Sequence, residues 1–276
     1  MKRRFTQVDV FTAIPLKGNP LAVVHDADGL DDAQMQAFAN WTNLSETTFL
    51  LQPTDPAADY RVRIFTPNGE FKFAGHPTLG SCHAWLQAGG APKDAARVVQ
   101  QCGVGLVDIR RDNAGLAFAA PPLARETVDA ETLARALRAL GLDASRVRAA
   151  SWLDNGTRWI GLMLDSANTV LAIRPDHAAL KTLAKVGVIG PHPDGDADFE
   201  VRAFAAANDI PEDPVTGGLN ASLAQWLIGA GMAPSRYGVS QGTAIGRAGR
   251  VQVEQVGAEV WIGGASVTCV EGSVSF

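Results

Sequence analysis

Asp59-Tyr60-Arg61-Val62-Arg63-Ile64-Phe65 recurs 139 residues further on as Asp198-Phe199-Glu200-Val201-Arg202-Ala203-Phe204. In both copies a Gly/Pro-rich loop and then an apolar helix follow the strand-like heptapeptide. The first helix ends in Ala84-Trp85-Leu86-Gln87-Ala88-Gly89-Gly90, and the second ends in Gln225-Trp226-Leu227-Ile228-Gly229-Ala230-Gly231. We therefore predict two copies of one fold unit, because a period of this length is far too long for a solenoid.

The two apolar helices are predicted at His76–Ala88 and Gly217–Gly229. They carry few charges on any face, so each is expected to be enclosed by its own sheet. Alternating and β-branched stretches around them predict strands in both halves. The predicted domains are an N-terminal lobe over 1–122 and a C-terminal lobe over 123–276, with the last strand free to return to the first lobe. The boundary is set at Pro121-Pro122, where a strand is expected to stop.

Three further elements are predicted from local pattern. A hairpin is expected across Asp112-Asn113-Ala114-Gly115. In the second half, Thr169–Ile173 is predicted to form a strand and His177–Val186 is predicted to form a helix.

The charge and hydropathy of the chain argue against two classes of partner, nucleic acids and membranes. The net charge is −5, and the only cluster of basic residues is the short Lys2-Arg3-Arg4. Nucleic-acid binding needs a basic face, so a nucleic-acid partner is not expected. No stretch approaches the eighteen or so apolar residues of a membrane span, and no secretory signal is evident, so no membrane association is expected.

The cysteines and histidines indicate no cofactor. Cys82, Cys102 and Cys269 are odd in number and widely spaced, which predicts reduced thiols in a cytoplasmic protein. No CxxC or HxxxH spacing indicates a metal site. Gly103-Val104-Gly105 has no helix after it and is a poor dinucleotide-binding motif.

Each apolar helix begins in a loop with special backbone needs, Gly75-His76-Pro77-Thr78-Leu79-Gly80 in one case and Asp213-Pro214-Val215-Thr216-Gly217-Gly218 in the other. Helix N-termini carry unpaired N–H donors and a partial positive charge, and two of them facing each other would hold a carboxylate. The alternative is that Gly and Pro merely start two buried helices.

Three side chains near these loops could carry proton chemistry. Glu46 stands at the start of an apolar strand, where burial would raise its pKa above the usual value of about 4.3. It could instead cap a turn. His76 opens a helix, whose dipole favours a neutral imidazole, although a turn-forming His bonded to backbone fits as well. Asp213 precedes the second helix, where capping alone could explain it.

Four ordered motifs give the chain a family resemblance that runs over essentially its whole length. They are Gly18-Asn19-Pro20-Leu21-Ala22-Val23, Asn43-Leu44-Ser45-Glu46-Thr47-Thr48-Phe49, Phe65-Thr66-Pro67 followed by Phe73-Ala74-Gly75-His76-Pro77-Thr78-Leu79-Gly80, and Glu212-Asp213-Pro214-Val215-Thr216-Gly217. The chain resembles the PhzF-like isomerases of phenazine biosynthesis. The resemblance implies an α+β, diaminopimelate epimerase-like fold with two pseudo-symmetric lobes. Each lobe would be a curled, mostly antiparallel sheet around a central helix, with the site in the cleft. It also implies a cofactor-independent enzyme that forms homodimers.

The resemblance also implies residue roles. Glu46 matches the general acid/base, and His76 and Asp213 match supporting catalytic groups. Gly217 and Gly218 match the stretch whose N–H groups bind the substrate carboxylate. Gly75 and Thr216 are also predicted to bind substrate. Gln241 and Gly242, at the next strand of the second copy, are predicted to line the same cleft, although a structural turn explains them at least as well. Many family members have Ser where this chain has Gly218, a departure that bears on substrate identity.

The implied reaction is an isomerisation of a small carboxylate, with trans-2,3-dihydro-3-hydroxyanthranilate as the family substrate. One alternative is an amino-acid epimerase that uses Glu46 and Asp213. Related racemases use a pair of cysteines at the two helix starts, but Ala74-Gly75-His76 and Asp213-Pro214-Val215 contain none. A second alternative is a non-catalytic binder of small carboxylates.

Overall fold

The structure is a computed structural model that describes residues 1–112 and 115–276. The tip of the predicted hairpin, Asn113 and Ala114, lies outside the described residues. The chain divides into two compact units, the first formed by Met1–Ala119 with Gly263–Phe276 and the second by Ala120–Ile262. The boundary between the two copies of the repeat, predicted after residue 122, stays a prediction.

The first unit is built from nine strands and two helices among the described residues. In chain order they are β1 (Lys2–Val10), β2 (Asn19–Val24), α1 (Asp32–Thr42), β3 (Thr47–Leu51), β4 (Tyr60–Thr66), β5 (Gly69–Phe71), α2 (Gly75–Gln87), β6 (Arg97–Cys102), β7 (Gly105–Asp112), β8 (Gly115–Ala119) and β18 (Ser266–Ser275).

The sheet of the first unit curls around α2. Strand β1 lies between β18 and β2 in antiparallel pairs, β2 pairs with β3 in parallel, and β3 pairs with β4 antiparallel. Strand β4 then pairs with β6 in parallel, and β6, β7 and β8 follow antiparallel. Helix α2 contacts strands from both ends of this order, including β1 and β8. The approach is close, since a Cβ at Gly80 would lie 2.6 Å from the Leu21 side chain and 2.8 Å from the Val10 side chain, and both would have to shift.

The second unit follows the same plan. Its strands and helices are β9 (Ala124–Glu126), α3 (Ala130–Leu140), β10 (Val147–Asp154), β11 (Arg158–Leu164), α4 (Ala167–Ala172), α5 (His177–Lys181), β12 (Val186–Pro191), β13 (Phe199–Ala205), β14 (Ile210–Asp213), α6 (Gly217–Gly229), β15 (Arg236–Gln241), β16 (Gly249–Val256) and β17 (Glu259–Gly264), which ends just past the division. Short 3-10 turns lie at Ala144–Arg146, Ala206–Asn208 and Thr243–Ile245.

The repeat in the sequence is a repeat in topology. Strands β10 and β11 pair antiparallel, β11 and β12 parallel, β12 and β13 antiparallel, β13 and β15 parallel, and β15 and β16 antiparallel. This is the sequence of pairings found from β1 to β7. Helix α6 has the predicted bounds and is buried along most of its length. The predicted fold class, α+β with a helix inside each curled sheet, is confirmed.

Helices also cover the outer face of each sheet. In the first unit, Met35 and Phe38 of α1 pack with Phe49 and Phe65. In the second unit, Leu140, Val170 and Leu180 of α3, α4 and α5 belong to a cluster that includes Phe204 of β13. Among the described residues, no helix is both long and apolar enough to cross a membrane.

Two local predictions in the second unit were wrong. Thr169–Ile173 does not form a strand, because it belongs largely to α4. The Ser166 hydroxyl accepts a hydrogen bond from the Thr169 N–H and caps this helix, which outweighs the β-branched side chains. The helix predicted at His177–Val186 ends at Lys181, and Val186 begins β12.

Candidate active site

Glu46 lies directly before β3 with 14% of its side chain exposed. Its Oε2 accepts no hydrogen bond from the described residues and lies 3.6 Å from Nε2 of His76. Removal from water raises the pKa of the Glu46 carboxyl from 4.5 to about 7, and a hydrogen bond with Ser45 opposes only part of that rise. At neutral pH the carboxyl is therefore present both as an acid and as a base.

His76 is the second residue of α2 and is 5% exposed. Its Nδ1 lies 3.4 Å from the Asn19 side-chain nitrogen, and its Nε2 faces Glu46. The imidazole therefore connects a buried amide on one side with the raised-pKa carboxyl on the other. The first residue of α2, Gly75, is also buried here.

The N-termini of α2 and α6 differ from the other α-helix starts in the described parts of the chain. Four helices have side-chain N-caps, which are Asp31, Asp129, Ser166 and Asp176. Ala74 and Thr216 precede α2 and α6, and neither makes a side-chain cap. A side-chain cap contributes about 1 kcal/mol, and neither helix has this stabilisation. In α6 the first-turn N–H groups of Gly217 and Gly218 receive no side-chain cap. A carboxylate is the kind of group that such N–H donors bind.

Thr216 is chemically able to cap α6, but its hydroxyl is engaged elsewhere. It donates to Oδ2 of Asp213 at 2.5 Å and accepts from the Gln241 amide at 3.1 Å. The same amide donates to the Asp213 carbonyl, and the Gln241 Oε1 accepts from the Thr216 N–H and from Asn220. The carboxamide of Gln241 is fully buried and all its contacts go to this loop and the first turn of α6. Gln241 thus fixes the shape of the loop that presents Asp213.

A buried ion pair holds the strand that ends in Asp213. Arg202 on β13 donates from Nε and Nη2 to the two carboxylate oxygens of Glu212 at 2.9 and 2.8 Å. The two side chains are only 5% and 6% exposed. Arg202 also donates to the carbonyl of Ile173, so the pair is anchored to the end of α4.

Gly218 and Gly242 are two of the three glycines in the second unit that are predicted to bind substrate, and their surroundings differ. Gly242 has φ +90°, and a Cβ there would lie 2.8 Å from the Pro214 carbonyl oxygen, so the backbone requires glycine. A Cβ at Gly218 would meet only the Thr157 hydroxyl, at 3.7 Å, which is ordinary contact. The side of Gly218 is therefore open, while its carbonyl accepts a hydrogen bond from Asn155.

The predicted site residues thus fall into two groups, each inside one unit. Glu46, His76 and Gly75 are gathered in the first unit. The remaining predicted residues, Asp213, Thr216, Gly217, Gly218, Gln241 and Gly242, are gathered in the second around the start of α6.

Cysteine chemistry does not fit these groups. Cys82 is buried within α2, and burial raises the pKa of its thiol to about 12. A thiol that stays protonated at neutral pH is a poor base. Across residues 1–112 and 115–276, no group of three or more His, Cys, Asp or Glu side chains could hold a metal ion.

The sequence matches the family described as "Phenazine biosynthesis-like protein" over residues 8–272. The chain belongs to this family. It is 34% identical to "Antisense-enhancing sequence 1" of Schizosaccharomyces pombe, with 97% of each chain covered. It is 35% identical to "Trans-2,3-dihydro-3-hydroxyanthranilate isomerase" of Pseudomonas fluorescens, with 87% of this chain and 86% of the relative covered.

A solved PhzF-family structure shares the fold of this family member. The protein from Bacillus anthracis superposes with a TM-score of 0.87 over the full length of both chains, at 22% identity. Family relatives are named isomerases, and this chain is an isomerase.

Sequence reasoning gave Asn19 no role, although it stands within the first family motif. The available signal is a polar amide directly before the apolar stretch of β2. A buried amide at such a position needs a hydrogen-bonding partner, and the partner found is His76.

Proposed function

We propose that this protein moves a proton between two carbons of a small carboxylate, with Glu46 as the single acid/base. The observation that supports this role best is the carboxyl of Glu46, which is 14% exposed and has an Oε2 that accepts no hydrogen bond from the described residues, so that its pKa is raised to about 7. A group with a pKa near the working pH can both remove a proton from carbon and return one.

The proposed reaction balances without a cofactor. The ionised Glu46 takes a proton from a carbon, and the electron pair of that C–H bond shifts into the unsaturated system of the substrate. Protonated Glu46 then returns the proton to a second carbon on the same face. Nothing is oxidised or reduced, and the carboxylate of Glu46 is regenerated.

His76 is proposed to support this transfer as a neutral hydrogen-bonding group. Its Nε2 lies 3.6 Å from the Glu46 carboxyl, close enough for a modest movement to form a hydrogen bond with Glu46 or with substrate. The start of α2 disfavours an imidazolium at this position.

The second group is proposed to bind and orient the substrate. The uncapped N–H groups of Gly217 and Gly218 suit a carboxylate. Asp213, held by the Thr216 hydroxyl, suits an amine or hydroxyl substituent. Gln241 and Gly242 are assigned to shaping this loop, because the contacts of Gln241 and the backbone of Gly242 are both taken up there.

The substrate to test first is trans-2,3-dihydro-3-hydroxyanthranilate, the compound in the printed name of the Pseudomonas fluorescens relative. In this reaction Glu46 would remove the proton at C3 and return it to the ring. Asp213 and His76 would orient the amine and hydroxyl. A cytoplasmic homodimer is part of the same proposal and rests on the family resemblance, and light scattering of the purified protein tests the dimer.

The test is incubation with this compound in D2O, followed by absorbance and by NMR. Glu46→Gln removes the proposed base, and Glu271→Gln removes an exposed carboxyl from β18 as a matched control. We expect deuterium incorporation in the wild type and the control, and none in Glu46→Gln.

Other results would redirect the assignment. Turnover that survives in Glu46→Gln contradicts its role as the base and makes Asp213 the next residue to test. Deuteration of an amino-acid α-carbon without a change in absorbance indicates an epimerase. Carboxylate binding without any proton exchange indicates a non-catalytic binder.

A further inference from the structure

Asn19 occupies a tightly specified place in the first unit. It is the first residue of β2, it pairs with Val10 of β1, and it is 1% exposed. The residue before it must be glycine, because a Cβ at Gly18 would overlap the carbonyl oxygen of Val10. The Gly18 N–H also donates to Oδ2 of Asp9 at 2.9 Å. The backbone that carries Asn19 is therefore fixed on both sides.

The side chain of Asn19 reaches His76, which is 57 residues away in sequence. Its Nδ2 lies 3.4 Å from the His76 Nδ1, and both side chains are buried. The opposite ring nitrogen, Nε2, faces Glu46 at 3.6 Å. Each nitrogen of the imidazole thus has a different neighbour, an amide on one side and the proposed acid/base on the other.

A neutral imidazole carries one N–H donor and one acceptor nitrogen, and the partner of one nitrogen decides the state of the other. With the Asn19 amide oriented in this way, its NH2 group donates to Nδ1, which places the ring proton on Nε2. We propose that Asn19 is a positioning residue that holds His76 in the Nε2–H tautomer. The ring then presents an N–H donor towards Glu46, where it stabilises the ionised carboxylate or a developing negative charge on the substrate.

The catalytic part of this inference rests on the proposed function, but the tautomer does not. Replacing Asn19 by Asp keeps the shape and exchanges the donor for an acceptor. A carboxylate at this position draws the ring proton to Nδ1 and leaves Nε2 as an acceptor facing Glu46. The substitution should therefore invert the tautomer while keeping the side chain in place.

The experiment is 15N NMR of the protein labelled at histidine, with His76→Gln to assign the signal. The chemical shifts of the two ring nitrogens show which one is protonated. We expect Nε2–H in the wild type and Nδ1–H in Asn19→Asp. Asn40→Asp is the matched control, because Asn40 is exposed on α1 and its side-chain amide donates to the Pro67 carbonyl. This variant should leave the His76 signal unchanged.

A wild-type signal from the Nδ1–H form, or a tautomer that does not change in Asn19→Asp, overturns the proposal. Asn19→Ala provides a second route if the Asp variant fails to fold, and there the proposal requires that the single tautomer be lost. If the protein turns over its substrate, kcat should fall about 10- to 100-fold in Asn19→Asp with little change in KM. A wild-type protein without turnover but with the expected tautomers would contradict the proposed function alone.

Discussion

Replacing Glu46 by Gln is expected to abolish activity and at the same time to stabilise the protein at high pH. The native pKa of about 7 compares with 4.5 for an ordinary Glu, so the folded protein binds this proton more tightly than the unfolded chain. The resulting stability is fully present below pH 4.5 and is lost as the pH rises through 7. This difference corresponds to at most about 3 to 4 kcal/mol. Gln has no such proton to lose, so the variant keeps its stability over the same range.

The assay is urea unfolding of the wild type, Glu46→Gln and Glu271→Gln at pH 5, 6, 7 and 8. Other titrating groups are shared, so the difference between the wild type and Glu46→Gln isolates this carboxyl. We expect that difference to shift in favour of Glu46→Gln by about 2 to 3 kcal/mol between pH 5 and pH 8. A shift below about 0.5 kcal/mol, the usual range for a surface substitution, would refute the claim that this carboxyl is desolvated.

Further substitutions test the surroundings of the site. Because its free side is open, Gly218→Ser should leave the Tm unchanged in calorimetry while altering the KM for the carboxylate substrate. Gly242→Ala forces a side chain into φ +90° against a backbone carbonyl and should cost about 1 to 3 kcal/mol in urea unfolding. Arg202→Met leaves a buried carboxylate unpaired and should cost about 3 to 5 kcal/mol, more than the double variant Arg202→Met/Glu212→Leu. In kinetics, kcat/KM should rise with pH through about 7 as Glu46 ionises, and a flat profile from pH 5.5 to 8.5 would contradict its role as the base.

Elements with a strong local signal could be predicted from the sequence. The bounds of α6 follow from an apolar stretch that starts at Gly217 and ends at a glycine, and the structure has the same bounds. The segment at Thr169–Ile173 misled the prediction because its β-branched residues favour a strand. A single serine cap upstream reversed that preference.

For the candidate site, local properties of single residues could be predicted from the sequence, but the partners of those residues could not. The apolar neighbours of Glu46 in the sequence predicted that it would be buried, and burial raises its pKa. The partner of His76 lies 57 residues away, and the partner of the Thr216 N–H lies 25 residues away. Such pairings depend on how the strands are arranged in the sheet, and the local sequence pattern does not predict that arrangement.

Because β1 pairs with β18, the sheet of the first unit cannot be completed until the end of the chain has been synthesised. Val10 pairs with Ser266, so β1 must wait for a strand synthesised 256 residues later. At about 5 to 20 residues per second on the ribosome, that wait is roughly 10 to 50 s. The whole of Ala120–Ile262 is made during this interval and is able to fold before the first unit is complete. Over the same period the nascent chain carries a strand with one unpaired edge, the kind of surface that chaperones shield from aggregation.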